Sequence, residues 1–255
     1  MARPVLADYV NKYEFIKLDR TEDGILKIQL HTNGEAITWG FWPHEELGFC
    51  FQDVSADLEN KVVILTGSGN AFIDKENLGG AQVTPQFWTR IQQNVVRLMR
   101  ANLEVEAPMI AAVNGPATIH AEQALMCDIV LSADHAYFQD APHFPSGLLQ
   151  GDGVHLVLNA VLGMNRARYF MLTGQKLSAQ EALALGVVNE VMPAADLLPR
   201  AYELARMILK RPPLVVRYAR TCMVAELKRQ VQSHLEYAAA LEGLAGVDLW
   251  PAEFE

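Results

Sequence analysis

Residues Met109 to Ala117 read MIAAVNGPA, and residues Ala124 to Phe138 read ALMCDIVLSADHAYF. Each segment contains a short apolar run, MIAAV or IVLSA, in which apolar residues follow one another instead of alternating with polar ones. Continuous runs of this length are typical of strands that are covered on both faces of a parallel sheet. These two segments therefore predict two buried strands.

The sequence that precedes these two strands predicts two further strands and a helix. The segments LKIQL at 26–30 and KVVILT at 61–66 predict strands, the first by its alternation and the second by its β-branched residues. Thr84 followed by Pro85 is typical of a helix start, and apolar residues then recur at helical spacing to about Leu103. Strand, helix and strand thus repeat along the chain, which predicts an α/β fold.

The chain downstream ends in helices. SAQE at 178–181 is a capping box that predicts a helix, and VVNEVM at 187–192 predicts another strand before Pro193. Helical periodicity alone follows, to about Gly246. We expect residues 1–194 to form the core and residues 195–255 to form a C-terminal helical region.

The composition excludes several classes of protein. Of the 255 residues 51% are hydrophobic, so the chain is not disordered. Its 21 lysines and arginines against 30 acidic residues give a net charge of -9, which argues against nucleic acid or an anionic membrane as a partner. Three scattered cysteines indicate reduced thiols, and the N-terminal segment has no apolar run of a targeting signal. We expect a cytoplasmic protein.

The common catalytic and ligand-binding motifs are missing from the sequence. It contains no G-x-S-x-G, H-E-x-x-H, C-x-x-C or P-loop pattern, and no complete dinucleotide fingerprint. The seven histidines show no paired spacing for a metal on a helix. We therefore expect no metal and no cofactor, and chemistry that uses His, Asp and Glu side chains directly.

The chain resembles the crotonase superfamily of enoyl-CoA hydratases and isomerases in segments that read VVILTGSGNAF, MIAAVNGPA, ALMCDIVLSADHAYF and LTGQKLSAQEALALGVVNEVMP. These segments occur in the order and with the spacing of the family. The resemblance implies a crotonase-type spiral of ββα units. It also implies a C-terminal helical trimerisation region, and hence a homotrimer or a hexamer made of two trimers.

Two departures from the superfamily pattern lie where its members have glycine-containing runs. Residues 73–77 read IDKEN, and residues 116–121 read PATIHA. The glycine runs of the family let backbone N–H groups approach a thioester oxygen, and bulky residues without positive φ obstruct that approach. The oxyanion hole for a CoA thioester is therefore expected to be absent.

A narrower resemblance is carried by Trp39 and His44 in TWGFWPH, His120 in NGPATIHA, His143 in QDAPHFPSG, Asp152 in GDG, and Glu242 in the final helix. In these residues the chain is most similar, within the superfamily, to the 6-oxocamphor hydrolase branch, which includes cyanobacterial β-diketone hydrolases. The resemblance implies cofactor-independent hydrolysis of a carbon–carbon bond in a cyclic or bicyclic β-diketone by a retro-Claisen step, giving a keto acid. His143 is the expected base, because imidazole titrates near neutral pH. Asp152 is expected to accept the Nδ1–H of His143 and to stabilise the imidazolium. Whether His143 activates water or attacks the carbonyl is left open.

The resemblance also implies roles for four other residues. His120 and the indole N–H of Trp39 are expected to hold a substrate carbonyl and to stabilise the enolate. Glu242, from the C-terminal helices, is expected to hold the water or to carry a proton. His44 is expected to bind substrate as part of the pocket wall.

Other interpretations remain at this point. Glu122 lies near the catalytic glutamate of hydratases, but its partner carboxylate is replaced by His143, so we interpret Glu122 as structural. An acyl-CoA hydratase, isomerase or thioesterase is the first alternative function. A non-catalytic oligomeric scaffold is the second.

Overall fold

The computed structural model describes residues 3–80 and 83–249. Within them the strands are β1 (Ile16–Arg20), β2 (Ile25–Leu30), β3 (Thr38–Trp39), β4 (Val62–Thr66), β5 (Lys75–Glu76), β6 (Met109–Val113), β7 (Ile129–Ala133), β8 (Tyr137–Phe138), β9 (Leu177–Ser178) and β10 (Glu190–Met192). The α-helices are α1 (Leu6–Tyr9), α2 (Phe41–Ala56), α3 (Pro85–Glu104), α4 (Glu122–Leu125), α5 (Val154–Leu162), α6 (Met164–Thr173), α7 (Ala179–Ala184), α8 (Ala194–Leu209), α9 (Pro213–Met223) and α10 (Ala225–Leu249).

The main sheet has the strand order β1-β2-β4-β6-β7-β10. β1 runs antiparallel to β2, and every other neighbouring pair is parallel. The runs that predict strands at 26–30, 61–66, 109–113 and 129–133 form β2, β4, β6 and β7. The predicted α/β class is therefore confirmed, with a mostly parallel sheet at its centre.

Local signals place the helix starts correctly. The hydroxyl of Thr84 accepts a hydrogen bond from the Phe87 N–H, and α3 then runs to Glu104. Ser178 and Glu181 form both bonds of the predicted capping box. The strand predicted at 187–192 is shorter than expected, because the N–H groups of Val187 and Val188 bond back to a carbonyl of α7.

Both faces of the main sheet are covered, which explains why its strands are apolar throughout. One face packs against α8, where Leu197 and Ala201 contact a layer that includes Ile64 and Ile110. The other face belongs to a larger core that α2, α3, α5 and α10 complete.

The loops that follow β4 and β6 are tied to each other. The side chain of Asn114 accepts from the Gly67 N–H and donates to the carbonyls of Gly69 and Ala71. Gly115 has no room for a side chain, because a Cβ there would lie 1.9 Å from the Asn70 carbonyl oxygen. The two loops therefore leave the sheet as one unit at the carboxyl ends of parallel strands, where α/β proteins place their sites.

The C-terminal helices are packed against the rest of the chain. α8 covers the sheet, and α10 packs along α3. The division into 1–194 and 195–255 stays a prediction, as does trimerisation, and residues 250–255 lie outside the described part of the chain. None of the described helices combines the length and the apolar character that crossing a bilayer requires.

Candidate active site

A cavity of about 640 Å³, including its open mouth, lies among α2, α3, α10 and the loops that follow β6 and β8. The enclosed part, counted as room for the centres of water-sized molecules, is about 80 Å³. Most of its wall is apolar, from Phe41, Leu78, Phe87, Trp88, Ile91, Val95 and Leu148. Its polar side chains are Trp39, His44, Glu76, Asn94, His120, Asp152 and Glu242.

The six residues that the sequence singled out come together here. Trp39, His44, His120, Asp152 and Glu242 line the cavity. His143 lies behind the last two, with its Nε2 3.4 Å from Asp152 and 3.6 Å from Glu242. A ligand in the cavity would therefore contact the carboxylates of Asp152 and Glu242, and the imidazole of His143 lies behind them.

The predicted contact between Asp152 and Nδ1 of His143 is wrong. Nδ1 bonds instead to Oδ1 of Asp140, at 2.5 Å, and Asp152 faces Nε2. Asp152 Oδ1 accepts from the Val154 N–H, as expected of an aspartate in a turn, so only Oδ2 reaches the histidines. Asp140 thus takes the orienting role that the sequence assigned to Asp152.

Five side chains alternate in charge across the site, and we call them the acid–imidazole chain: Glu122, His120, Asp152, His143 and Asp140. All are buried except His120, whose side chain is 11% exposed. The successive distances between their closest polar atoms are 2.8, 3.4, 3.4 and 2.5 Å. Each histidine therefore lies between two carboxylates. One oxygen of Asp152, Oδ2, serves both histidines and is the centre of the chain.

The electrostatics of the chain favour charged histidines. Burial alone would lower the pKa of His143, but Asp152 and Asp140 outweigh it and raise that pKa well above 6.5. Burial alone would raise the pKa of Asp152, and His143 and His120 lower it instead. At neutral pH the centre of the chain is therefore a carboxylate between imidazolium groups.

His120 is the charged histidine that faces the cavity. Burial works against its charge, but Glu122, at 2.8 Å from Nδ1, raises its pKa to about 9 with help from Asp152. The ring lies 4.9 Å from that of Trp39, centroid to centroid. Because Glu122 occupies Nδ1, the Nε2–H of His120 is left for a ligand. Glu122 itself is not among the residues that line the cavity.

The backbone at His120 differs from the expectation. Its φ is +47°, so the run at 116–121 does contain a residue in the left-handed region that glycine prefers. The N–H groups of Thr118 and Ile119 both donate to the Ile73 carbonyl, so they are not free for a substrate oxygen. The left-handed turn therefore presents the imidazole of His120 rather than those two backbone donors.

Glu242 brings a titratable carboxyl into the cavity from α10. It is 3% exposed, and burial raises its pKa to about 7 although His143 opposes the shift. A carboxyl with a pKa near the working pH can accept and return a proton. Glu242 is therefore the side chain of the cavity wall that is best suited to proton transfer.

The position of Glu242 depends on its neighbour, Gly243. A Cβ at Gly243 would lie 2.1 Å from the ring of Trp88, whose Nε1–H donates to the Ala239 carbonyl at 2.9 Å. We expect Gly243→Ala to lower the free energy of unfolding by about 1–3 kcal/mol, because α10 must move away from α3. Denaturant titration measures this change, and turnover should fall with it as Glu242 shifts.

Gly246, one turn further along α10, provides the matched control. The nearest atom to a Cβ there is the end of the Leu148 side chain, at 3.3 Å. Gly246→Ala should be neutral or stabilising by up to about 1 kcal/mol, since alanine is the better helix former. Equal effects of the two substitutions would contradict the close packing of α10 on Trp88.

The remaining polar groups give the cavity an acidic balance. Burial lowers the pKa of His44 to about 3, with the charge on His120 adding to the effect, so His44 is neutral. Glu76 lies at the mouth, where loss of water raises its pKa. Among the described residues no lysine or arginine lines this cavity.

A cation could be held at one point of the site. Donor atoms of His120, Glu122 and Asp152 lie within 4.8 Å of one another. The proton on Nδ1 of His120 already occupies this position, because Nδ1 lies within hydrogen-bond distance of Glu122. The donor set therefore fits an ion pair better than a metal centre.

Comparison with known proteins gives the family context. A family model described as enoyl-CoA hydratase/isomerase matches residues 20–243. The probable peroxisomal enoyl-CoA hydratase 1 of Arabidopsis thaliana is 34% identical over 168 residues, 65% of this chain and 62% of that protein. The short-chain enoyl-CoA hydratase of Clostridium acetobutylicum is 29% identical over 79% of this chain and 76% of that protein. The match thus spans less than two thirds of the Arabidopsis protein.

Two solved structures are similar over nearly the whole chain. One is a β-diketone hydrolase from the cyanobacterium Anabaena sp. PCC 7120, bound to (S)-3-oxocyclohexyl acetic acid. It has a TM-score of 0.92 and 40% identity, covering 97% of this chain and 99% of that one. The other is an enoyl-CoA hydratase/isomerase from Mycobacterium paratuberculosis, with a TM-score of 0.85, 26% identity and 92% and 94% coverage.

Proposed function

The chain belongs to the enoyl-CoA hydratase/isomerase (crotonase) family, and from that premise we propose that it hydrolyses a carbon–carbon bond in cyclic or bicyclic β-diketones. Glu242 and the acid–imidazole chain carry this proposal, because together they place a proton acceptor and the charged His120 in the wall of a mostly apolar cavity. The similarity to the Anabaena hydrolase supports it. The family's enoyl-CoA chemistry is the alternative that the test below includes.

Water activation is the first step of the proposed reaction. His143 has its proton in the resting state, so it is a poor base until it loses that proton. Glu242, with its pKa of about 7, lines the cavity and is deprotonated in half or more of the molecules above neutral pH. We assign the water proton to Glu242, with His143 behind it to share the charge.

Charge stabilisation is the second step. The hydroxyl of water bonds to one carbonyl carbon, and the adjacent carbon–carbon bond then breaks. Its electron pair passes to the second carbonyl, which becomes an enolate. The Nε2–H of charged His120 and the indole N–H of Trp39 are the proposed donors to that oxygen, a kind of contact typically worth about 3 kcal/mol.

Proton return completes the reaction. The enolate carbon takes the proton that Glu242 received from water, and His143 holds the positive charge beside it. The product is a keto acid whose composition is substrate plus one water, so no oxidant or reductant is consumed. The acid bound in the Anabaena structure has this form, because water addition to a bicyclic 1,3-diketone gives 3-oxocyclohexyl acetic acid.

Mass spectrometry tests the proposed function directly. The enzyme is incubated with the bicyclic 1,3-diketone that opens to 3-oxocyclohexyl acetic acid and, separately, with an enoyl-CoA. We expect a product heavier by one water from the diketone, and loss of that product in His143→Ala. Hydration of the enoyl-CoA without any diketone turnover would reject the proposal in favour of acyl-CoA chemistry.

The pH dependence of turnover should be bell-shaped. Below about 7 Glu242 is protonated and cannot accept a proton, so kcat/KM should rise with pH through that value. Above about 9 His120 loses the charge that stabilises the enolate, so kcat/KM should fall. Steady-state kinetics across this range measure both limbs.

Glu242→Gln isolates the acidic limb. The amide cannot take the water proton, so residual activity should be low and should no longer rise through pH 7. The limb near 9 should remain, because His120 and Glu122 are unchanged. An acidic limb that persists in Glu242→Gln would assign the base to another group, with His143 first among them.

A further inference from the structure

Asn94 is a polar residue on the inner face of α3. Its apolar neighbours there include Ile91 and Val95, which also line the cavity. Asn94 itself is 3% exposed and also lines the cavity. A buried amide in such a stripe needs hydrogen-bond partners, because desolvation without them costs free energy.

The contacts of Asn94 determine which end of its amide is free. Nη1 of Arg97 lies 2.7 Å from Oδ1 of Asn94. A guanidinium can only donate, so the amide oxygen faces Arg97 and the NH₂ group points elsewhere. Nδ2 is buried and has no acceptor among the described residues. Arg97 therefore orients Asn94 as an unpaired donor.

Unpaired buried atoms gather around this cavity. Besides Nδ2 of Asn94, they include Nδ1 of His44 and Oε2 of Glu242, and all three residues line it. A buried donor without a partner costs free energy, so proteins rarely keep one without a use. A polar ligand in the cavity would give these three atoms a partner.

The proposed reaction has one oxygen for which no donor has been assigned. His120 and Trp39 stabilise the enolate, but the attacked carbonyl also becomes negative when water adds to it. The N–H groups of Thr118 and Ile119 are held by the Ile73 carbonyl. An additional donor in the cavity wall is therefore required.

We propose that the Nδ2–H of Asn94 donates to the substrate carbonyl oxygen that His120 does not hold, and that it stabilises the oxyanion formed there. This inference rests on the proposed function. It makes Asn94 a catalytic residue and Arg97 a positioning residue that fixes the amide. A good substrate must then have two carbonyl groups. One is held by His120 and Trp39, and the other by Asn94.

The test compares two substitutions that remove the donor in different ways. Asn94→Asp keeps the shape and the acceptor for Arg97, whereas Asn94→Leu removes all polarity at nearly the same volume. Gln93→Leu, on the exposed face of the same helix, is the matched control. Each variant is assayed on the bicyclic 1,3-diketone, with kcat and KM separated, and its unfolding midpoint is measured.

We expect kcat to fall about 100-fold in both Asn94 variants, as for other side-chain oxyanion donors, with KM within about threefold of wild type. Gln93→Leu should be unchanged, and Asn94→Leu should unfold no earlier than Gln93→Leu. An unchanged kcat, or a loss confined to KM, overturns the inference. A wild-type enzyme that does not hydrolyse the diketone rejects the proposed function instead.

Discussion

Asp152→Asn should lower kcat on a β-diketone by about 10³-fold or more and leave the fold intact. Oδ2 of Asp152 lies 3.4 Å from both His120 and His143, so the substitution removes one negative charge from two histidines at once. The pKa of each histidine should then fall, because burial opposes their charge. The substitution therefore removes two charges at once: that of His120, the donor to the enolate, and that of His143, the imidazolium behind Glu242.

An exposed pair of residues provides the control for this measurement of kcat. His135 and Asp134 make a pair with the same separation, 3.4 Å, but with side chains about half exposed. Asp134→Asn should leave turnover unchanged, because solvent screens that pair. NMR titration of the histidines in both variants connects the rate to the charge. Full activity of Asp152→Asn, or lost activity with unchanged histidine pKa values, would contradict the role given to the acid–imidazole chain.

The fold could be predicted in most of its essentials from local pattern. The apolar runs of β4, β6 and β7 reflect a sheet covered on both faces, and the caps of α3 and α7 are local hydrogen bonds. α2 was missed, because its apolar and polar residues do not separate cleanly into two faces. Its buried positions are set by packing on α3, which no local pattern records.

The site was predictable as a set of residues but less so as a set of contacts. Resemblance to the 6-oxocamphor hydrolase branch singled out His143, Asp152 and Glu242. The structure places carboxylate oxygens of Asp152 and Glu242 within 3.6 Å of Nε2 of His143. Which imidazole nitrogen meets which carboxylate depends on the path of an irregular loop. Asp140 lies three residues before His143 in that loop and carries no periodic signal.

Asn94 could have been found in the sequence. It stands one residue before Val95 and three after Ile91, on the stripe that predicts the buried face of α3. An asparagine in such a stripe breaks the binary pattern, and breaks of this kind concentrate at functional sites. The left-handed φ of His120 had no comparable signal, because a single residue with positive φ leaves no periodic pattern in the sequence.

Asp140→Asn should lower kcat by about 10² to 10⁴-fold, close to the effect of the same change behind the histidine of a serine-protease triad. The carboxylate accepts the Nδ1–H of His143 and favours its charge, whereas an amide is neutral and can present its NH₂ group to Nδ1. The proton would then move to Nε2, the nitrogen that faces Asp152 and Glu242. The imidazolium behind the base would be lost.

A merely structural role for Asp140 predicts a different result from the same variant. Loss of packing would lower the unfolding midpoint and leave the pKa of the remaining His143 high, whereas loss of charge lowers that pKa in a folded protein. Histidine NMR separates the two, with Asp134→Asn again as the exposed control. Because Asp140 does not line the cavity, KM should change little while kcat falls. An Asp140→Asn enzyme with wild-type kcat would mean that Asp152 alone sustains the charge of His143.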